Sequence, residues 1–191
     1  MRSMNPEDSL NIISRMMSDT RRGVLQYSYT PFLIWGGSTI VVSALVYIVE
    51  KYSGNYLGYY LWYLLPVLGL SISRIFKPRQ KSIRTGISTS LRSIWWMLTI
   101  LMIGFSVSSF MLPFNILFII LLLLSIGSFV TGAVIAYPFL QYSSVAGFIV
   151  SILLLLISGI NQIPVFAAAI AVMMIVPGLK MKQDLDNLYR L

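Results

Sequence analysis

The feature that most constrains this chain is a series of apolar runs, each about as long as a bilayer is thick, with no Asp, Glu, Lys or Arg at mid-length. A hydrocarbon core of about 30 Å is crossed by roughly 20 helical residues, with about 17 to 25 tolerated. Six segments meet that test: Pro31 to Val49, Leu57 to Phe76, Ser93 to Leu112, Phe114 to Ala136, Phe139 to Ile160 and, at the lower limit, Ile163 to Leu179. Pro113 divides the third from the fourth, and Tyr137 with Pro138 the fourth from the fifth. Asn161 and Pro164 open the sixth, and Val176, Pro177 and Gly178 close it. Proline punctuates helices because it lacks an N–H, which is no loss in a first turn. The expected fold class is all-α, a polytopic membrane bundle of six transmembrane helices.

Composition leads the same way. Charged residues make up 10% of the chain, against about 25% in soluble domains, and mean hydropathy is +0.82. So few charges cannot cover a soluble surface. Residues 1–30 hold mixed charges and no uninterrupted apolar core, so no secretory signal is expected.

The net charge of +8 is placed unevenly. Arg2, Arg15, Arg21 and Arg22 precede the first run, and Arg74, Lys77, Arg79, Lys81, Arg84 and Arg92 flank the join between the second and third. Lys180, Lys182 and Arg190 follow the sixth; Lys51 alone falls on the opposite side. Short loops rich in Lys and Arg stay cytoplasmic, so both termini are expected inside.

Three regions are expected: residues 1–30 as a cytoplasmic amphipathic helix and connector, 31–179 as the membrane domain, and 180–191 as a cytoplasmic tail. Within the first, Asn5 suits an N-cap, Pro6 the first helical position and Gly23 the stop. Leu10, Ile13 and Met17 make an apolar stripe, with Ile12 and Met16 beside it and Arg15, Asp19, Arg21 and Arg22 on the flank. Such a helix either lies along the bilayer interface or docks a protein partner, with its methionines as an adaptable face. Leu185, Leu188 and Leu191 repeat that pattern near the C-terminus.

Several chemistries are disfavoured. The chain has no Cys and no His, which removes thiolate and imidazole ligands, cysteine nucleophiles and histidine relays. No catalytic residue, metal site or cofactor is expected. Glu50 is the one acid on the outer side and has no partner there for acid–base work.

Small residues recur at every fourth position: Ser128, Gly132 and Ala136 on the fourth run, and Ser143, Gly147 and Ser151 on the fifth. Such stripes let helix backbones approach where lipid supplies no hydrophobic force, so they read as helix packing. A polar seam through the bundle is the functional alternative. Tyr47, Tyr52, Tyr56, Tyr59, Tyr60, Trp62 and Tyr63 gather at the first outer hairpin, as an aromatic belt or an outward cup. Trp35, Trp95 and Trp96 suit the inner belt. The basic stretch holds Lys77, Arg79, Lys81, Arg84 and Arg92 with no acid, a pattern that attracts anionic lipid headgroups. It lacks the stacking aromatics of a nucleic-acid reader, so no nucleic-acid partner is expected.

Pro31 to Leu33 and Pro138 to Leu140 both read Pro-Phe-Leu, and GLSISR from Gly69 parallels GLKMKQ from Gly178, a hint of repeated hairpins. Together with EDSLNIISRMM, LIWGG, SFVTGAVIAYPFL and MIVPGLKMK, the chain resembles a family of small uncharacterised bacterial inner-membrane proteins with six predicted spans. The resemblance implies a helical fold in the bacterial inner membrane and brings no activity with it. The expected function is a non-enzymatic membrane component that binds or scaffolds a partner. A small carrier or channel with a Ser/Tyr-lined path is the alternative, and a lipid-handling enzyme is a third reading.

Overall fold

In lipid, a backbone must satisfy its own N–H and C=O groups, which a helix does within one segment. The computed structural model describes residues 6–53, 56–75, 86–109, 111–112 and 114–190, and among these it is all-helical. Four helices are long and apolar enough to cross a membrane, lying within Ser28–Ser53, Thr89–Ser108, Ile116–Val134 and Gly159–Leu188.

Helix α1, Pro6–Ser53, runs for 48 residues without interruption. Gly23 does not stop it, and the boundary expected near residue 30 falls inside it. A glycine inside a helix costs only about 1 kcal/mol, and an interior proline such as Pro31 about 3 kcal/mol. Phe32, which is buried, and Leu33, which lies against Gly178, pack the helix beside Pro31 and offset that cost. The N-cap expected at Asn5 lies outside the described residues.

The second apolar run is two elements, a 3-10 helix over Tyr56–Tyr63 and α2 over Leu64–Ile75. Pro66 is the third residue of α2, where an N–H has no partner within the helix in any case. Next come α3, Gly86–Ser108, and α4, Ile116–Val134. Asn115 caps α4 by accepting the Phe118 N–H at 3.1 Å, and its side-chain amide donates to the Leu154 carbonyl at 3.1 Å. Pro113, to which the sequence assigned that turn, lies outside the described residues.

Helix α4 ends in a Schellman turn. Tyr137 N–H donates to Gly132 O at 2.8 Å and Ala136 N–H to Ala133 O at 3.2 Å, with Ala136 at φ 52°. Pro138 then starts α5, Pro138–Leu153, a helix of 16 residues that stops well before Ile160. A 3-10 turn at Gly159–Asn161, with Gly159 at φ 71°, leads into α6, Gln162–Ile170.

The last rod continues through a π-helical turn, Ala171–Ile175, into α7, Val176–Arg190. Val176, Pro177 and Gly178 therefore do not end a helix as expected. The wide turn, in which Val176 N–H reaches Ala171 O, gives the proline ring room that a regular α-turn would deny it. Pro177 is fully buried, and Gly178 admits α1 so closely that an added Cβ would sit 2.9 Å from Leu33 Cδ2.

Neighbours run antiparallel. On α1, Leu33 meets Gly178, and Gly36 meets Met174 and Ile175; Trp35 covers Gly69 of α2. On α3, Trp95 bonds Thr131, Leu98 lies on Gly127, and Phe105 meets Phe114 edge to face at 6.2 Å. The core gathers around α6 and its π-turn, with Phe166, Ile170, Met173 and Met181 buried between α1 and the α4–α5 pair. The two Pro-Phe-Leu motifs occupy different settings, mid-helix in α1 and at the start of α5.

Candidate functional site

The α4–α5 seam is built from small residues, though not all of the expected ones. Ser128 and Gly132 are buried on α4, whereas Ala136 is exposed beyond the helix end, in the Schellman turn. On α5, Gly147 and Ser151 are buried and Ser143 is half-buried, while Ser144 takes the interior place. The buried line is thus Leu140, Ser144, Gly147 and Ser151. A strict four-residue step drifts around a helix by about 40° per step, so one three-residue step is needed to stay on a face. A Cβ added at Gly147 would lie 2.6 Å from Met173 Sδ and 2.9 Å from Ser125 Oγ, where α4, α5 and the π-turn converge.

Most interior hydroxyls serve their own helices. Ser125 donates to Leu121 O at 2.7 Å and faces Met173 Sδ at 3.3 Å. Ser144 donates to Leu140 O at 2.6 Å, Ser151 to Phe148 O at 2.7 Å, and Ser43 to Thr39 O at 2.7 Å. Thr131 donates to Gly127 O at 2.7 Å and accepts the Trp95 indole N–H at 3.1 Å. Ser38 and Ser128 keep buried hydroxyls with no hydrogen-bond partner among the described residues. Two hollows of ≈ 240 and ≈ 250 Å³ flank α5. The first is lined by Ser125 and Ser144 together with Phe129, Val130, Val145 and Phe148, and the second by Val150, Val165, Ala168 and Val172. Both are largely apolar grooves, and Ser125 and Ser144 turn their hydroxyls to the carbonyls of their own helices.

One end of the bundle concentrates cations. Phe32 to Trp35 of α1 mark a level at which α2, α3 and α7 each meet α1, through Gly69, Trp95 and Gly178 respectively. Just past that level stand Arg74, Arg92, Lys180 and Lys182, all exposed. Of the expected headgroup-binding residues, Arg92 is the one described; Lys77, Arg79, Lys81 and Arg84 lie outside the described residues. At this end Lys180 Nζ sits 3.9 Å from the Phe139 ring centroid, and Tyr137 OH donates to Asp184 Oδ2 at 2.7 Å. Both contacts fasten α7 to the α4–α5 turn. No periodicity signals them, because they join residues 41 and 47 positions apart. Leu185 is buried and Leu188 half-buried, so this stripe of the tail packs inward; Leu191 lies outside the described residues.

The opposite end carries the tyrosines. Tyr60 and Tyr63 stack at 6.4 Å and are exposed, as is Tyr52, whereas Trp62 turns inward onto Phe166 at 5.7 Å. Glu50 is half-buried there, with Oε2 buried and without a hydrogen-bond partner among the described residues. Among the described residues no three His, Cys, Asp or Glu side chains group as a metal site would need. Comparison with protein families, curated proteins and solved structures finds no match.

Proposed function

We propose that this chain is a non-enzymatic, multi-pass protein of a bacterial inner membrane that holds a protein partner at its basic end. In this reading the chain crosses six times, with the 3-10/α2 stretch and α5 supplying the two crossings beyond the four long helices, and both termini are cytoplasmic. The antiparallel succession of contacts supports the count, and the cations grouped at one end support the orientation.

The observation that carries the reading is the unbroken α1. Its apolar stretch begins at Ser28, so residues 6–27 rise on the same axis for about 33 Å. A helix lying along the interface needs a break where it leaves the membrane, and neither Gly23 nor Pro31 provides one. Stepping along α7 from the Gly178–Leu33 contact, Arg190 falls opposite about residue 21 of α1. The stretch bearing Leu10, Ile13 and Met17 therefore extends beyond the end of α7, and this reading seats the partner there.

A photocrosslinking residue at Ile13, activated in native membranes, is expected to give one discrete protein adduct that Leu10→Asp abolishes. Adducts with lipid alone would overturn the partner. Single cysteines at Ser3 and Asn187 are expected to take up an impermeant maleimide from the same side, and labelling from opposite sides would overturn the topology.

A further inference from the structure

We infer that the space between α2 and α3 is a binding site for one anionic glycerophospholipid, its acyl chains in the cleft and its phosphate between Arg74 and Arg92. This rests on the reading that the bundle spans a membrane, and it gives the basic end a specific ligand.

The cleft follows from how the two helices are held. α2 packs on α1 and on the 3-10 helix before it, while α3 packs on α4, and no Cα of α2 comes within 8 Å of a Cα of α3 among the described residues. Consecutive in the chain, they stand on separate supports. The floor between them is aromatic. Phe32 of α1 meets Trp95 of α3 edge to face at 6.2 Å, and Trp35, one turn along α1, lies over Gly69 of α2. Both indoles are half-buried. An indole that close to Gly69, 2.6 Å from where a Cβ would be, leaves no room to draw α2 further in.

Depth and charge together select the occupant. The 12 residues of α2 extend about 18 Å, close to the roughly 15 Å hydrocarbon depth of one leaflet. The outward surfaces of both helices are apolar, with Val67 and Leu70 on α2 and Met97 and Ile100 on α3 exposed. At the mouth, Arg74 stands five residues past Gly69 and Arg92 three residues before Trp95, so each lies within about 10 Å of the floor along its helix. Guanidinium groups pair with phosphate oxygens in a planar, bidentate manner. A second copy of the chain would bring its own arginines to the same place, which like-charge repulsion opposes.

The test uses the whole protein in lipid–detergent micelles, with phosphatidylglycerol or phosphatidylcholine brominated along the acyl chains as quencher of the four tryptophans. Brominated phosphatidylglycerol is expected to quench at roughly tenfold lower mole fraction than brominated phosphatidylcholine, an advantage lost in the Arg74→Gln/Arg92→Gln variant and in high salt. Equal quenching by both lipids, or a preference the double variant retains, would overturn the site. So would an intermolecular disulfide formed by Leu70→Cys, which places a second copy in the cleft. If neither lipid quenched at all, the membrane-spanning reading itself would fail, and the two failures are thereby distinct.

Discussion

Helices α3 and α4 lie side by side, run in opposite directions and have similar lengths, yet 44% of the apolar stretch of α4 is buried in the protein against 11% of that of α3. Mean hydropathy is 2.5 for the more buried helix and 1.4 for the more exposed one, so both are apolar enough for lipid and neither value names a packing face. In a bilayer, apolarity permits residence and decides little else, because lipid tails are as apolar as leucine. What separates the pair is side-chain size. α4 buries Ser125, Gly127, Ser128, Thr131 and Gly132, using Gly127 to admit α3 and Gly132 to admit α5. On α3, Gly104 has open space where a Cβ would go.

The contrast is most easily broken by adding bulk. Gly147→Leu, which drives a side chain into Met173 and Ser125, is expected to cost about 3 kcal/mol in SDS titration of the detergent-solubilised protein, while Gly104→Leu changes stability by less than about 0.5 kcal/mol. Equal costs would mean that the periphery is as tightly packed as the core. A middle-sized effect is expected where the two regions meet. Thr131→Val removes the acceptor of the Trp95 indole and should lower stability by about 1 to 2 kcal/mol, with a shift in tryptophan emission as the readout. If Thr131→Val proved neutral, α3 would be held by shape alone. The smallest effect sharpens the comparison from the other side: Gly104→Ala should stabilise by about 0.5 kcal/mol, since the methyl meets nothing and the helix gains propensity.

Much of the helical content was legible because apolar run length is a one-dimensional property. The expected third, fourth and sixth segments overlap α3, α4 and the α6–α7 rod. Two of the misses share a cause. Pro31 and Pro177 are helix breakers by local propensity, and each lies inside a continuous helix because tertiary packing outweighs a local cost of about 3 kcal/mol. Ala136 was assigned to a packing stripe by its spacing from Gly132, but the Schellman turn carries it to the surface. Ser144 displaced Ser143 from the interior because a helix does not repeat at four residues. The capping role of Asn115 carries a sequence signal, since Asn directly before an apolar helix is a common N-cap.

By itself the sequence determined helices long and apolar enough to cross a membrane, and cations that collect toward one end, since length, apolarity and charge order do not depend on which helices touch. The tertiary structure alone decided that α6 and its π-turn form the centre, that α1 stays one rod through two breakers, and that α2 and α3 pack on separate neighbours. Those outcomes depend on which small residues face each other across space, and that is a matter of angles and distances among segments remote along the chain.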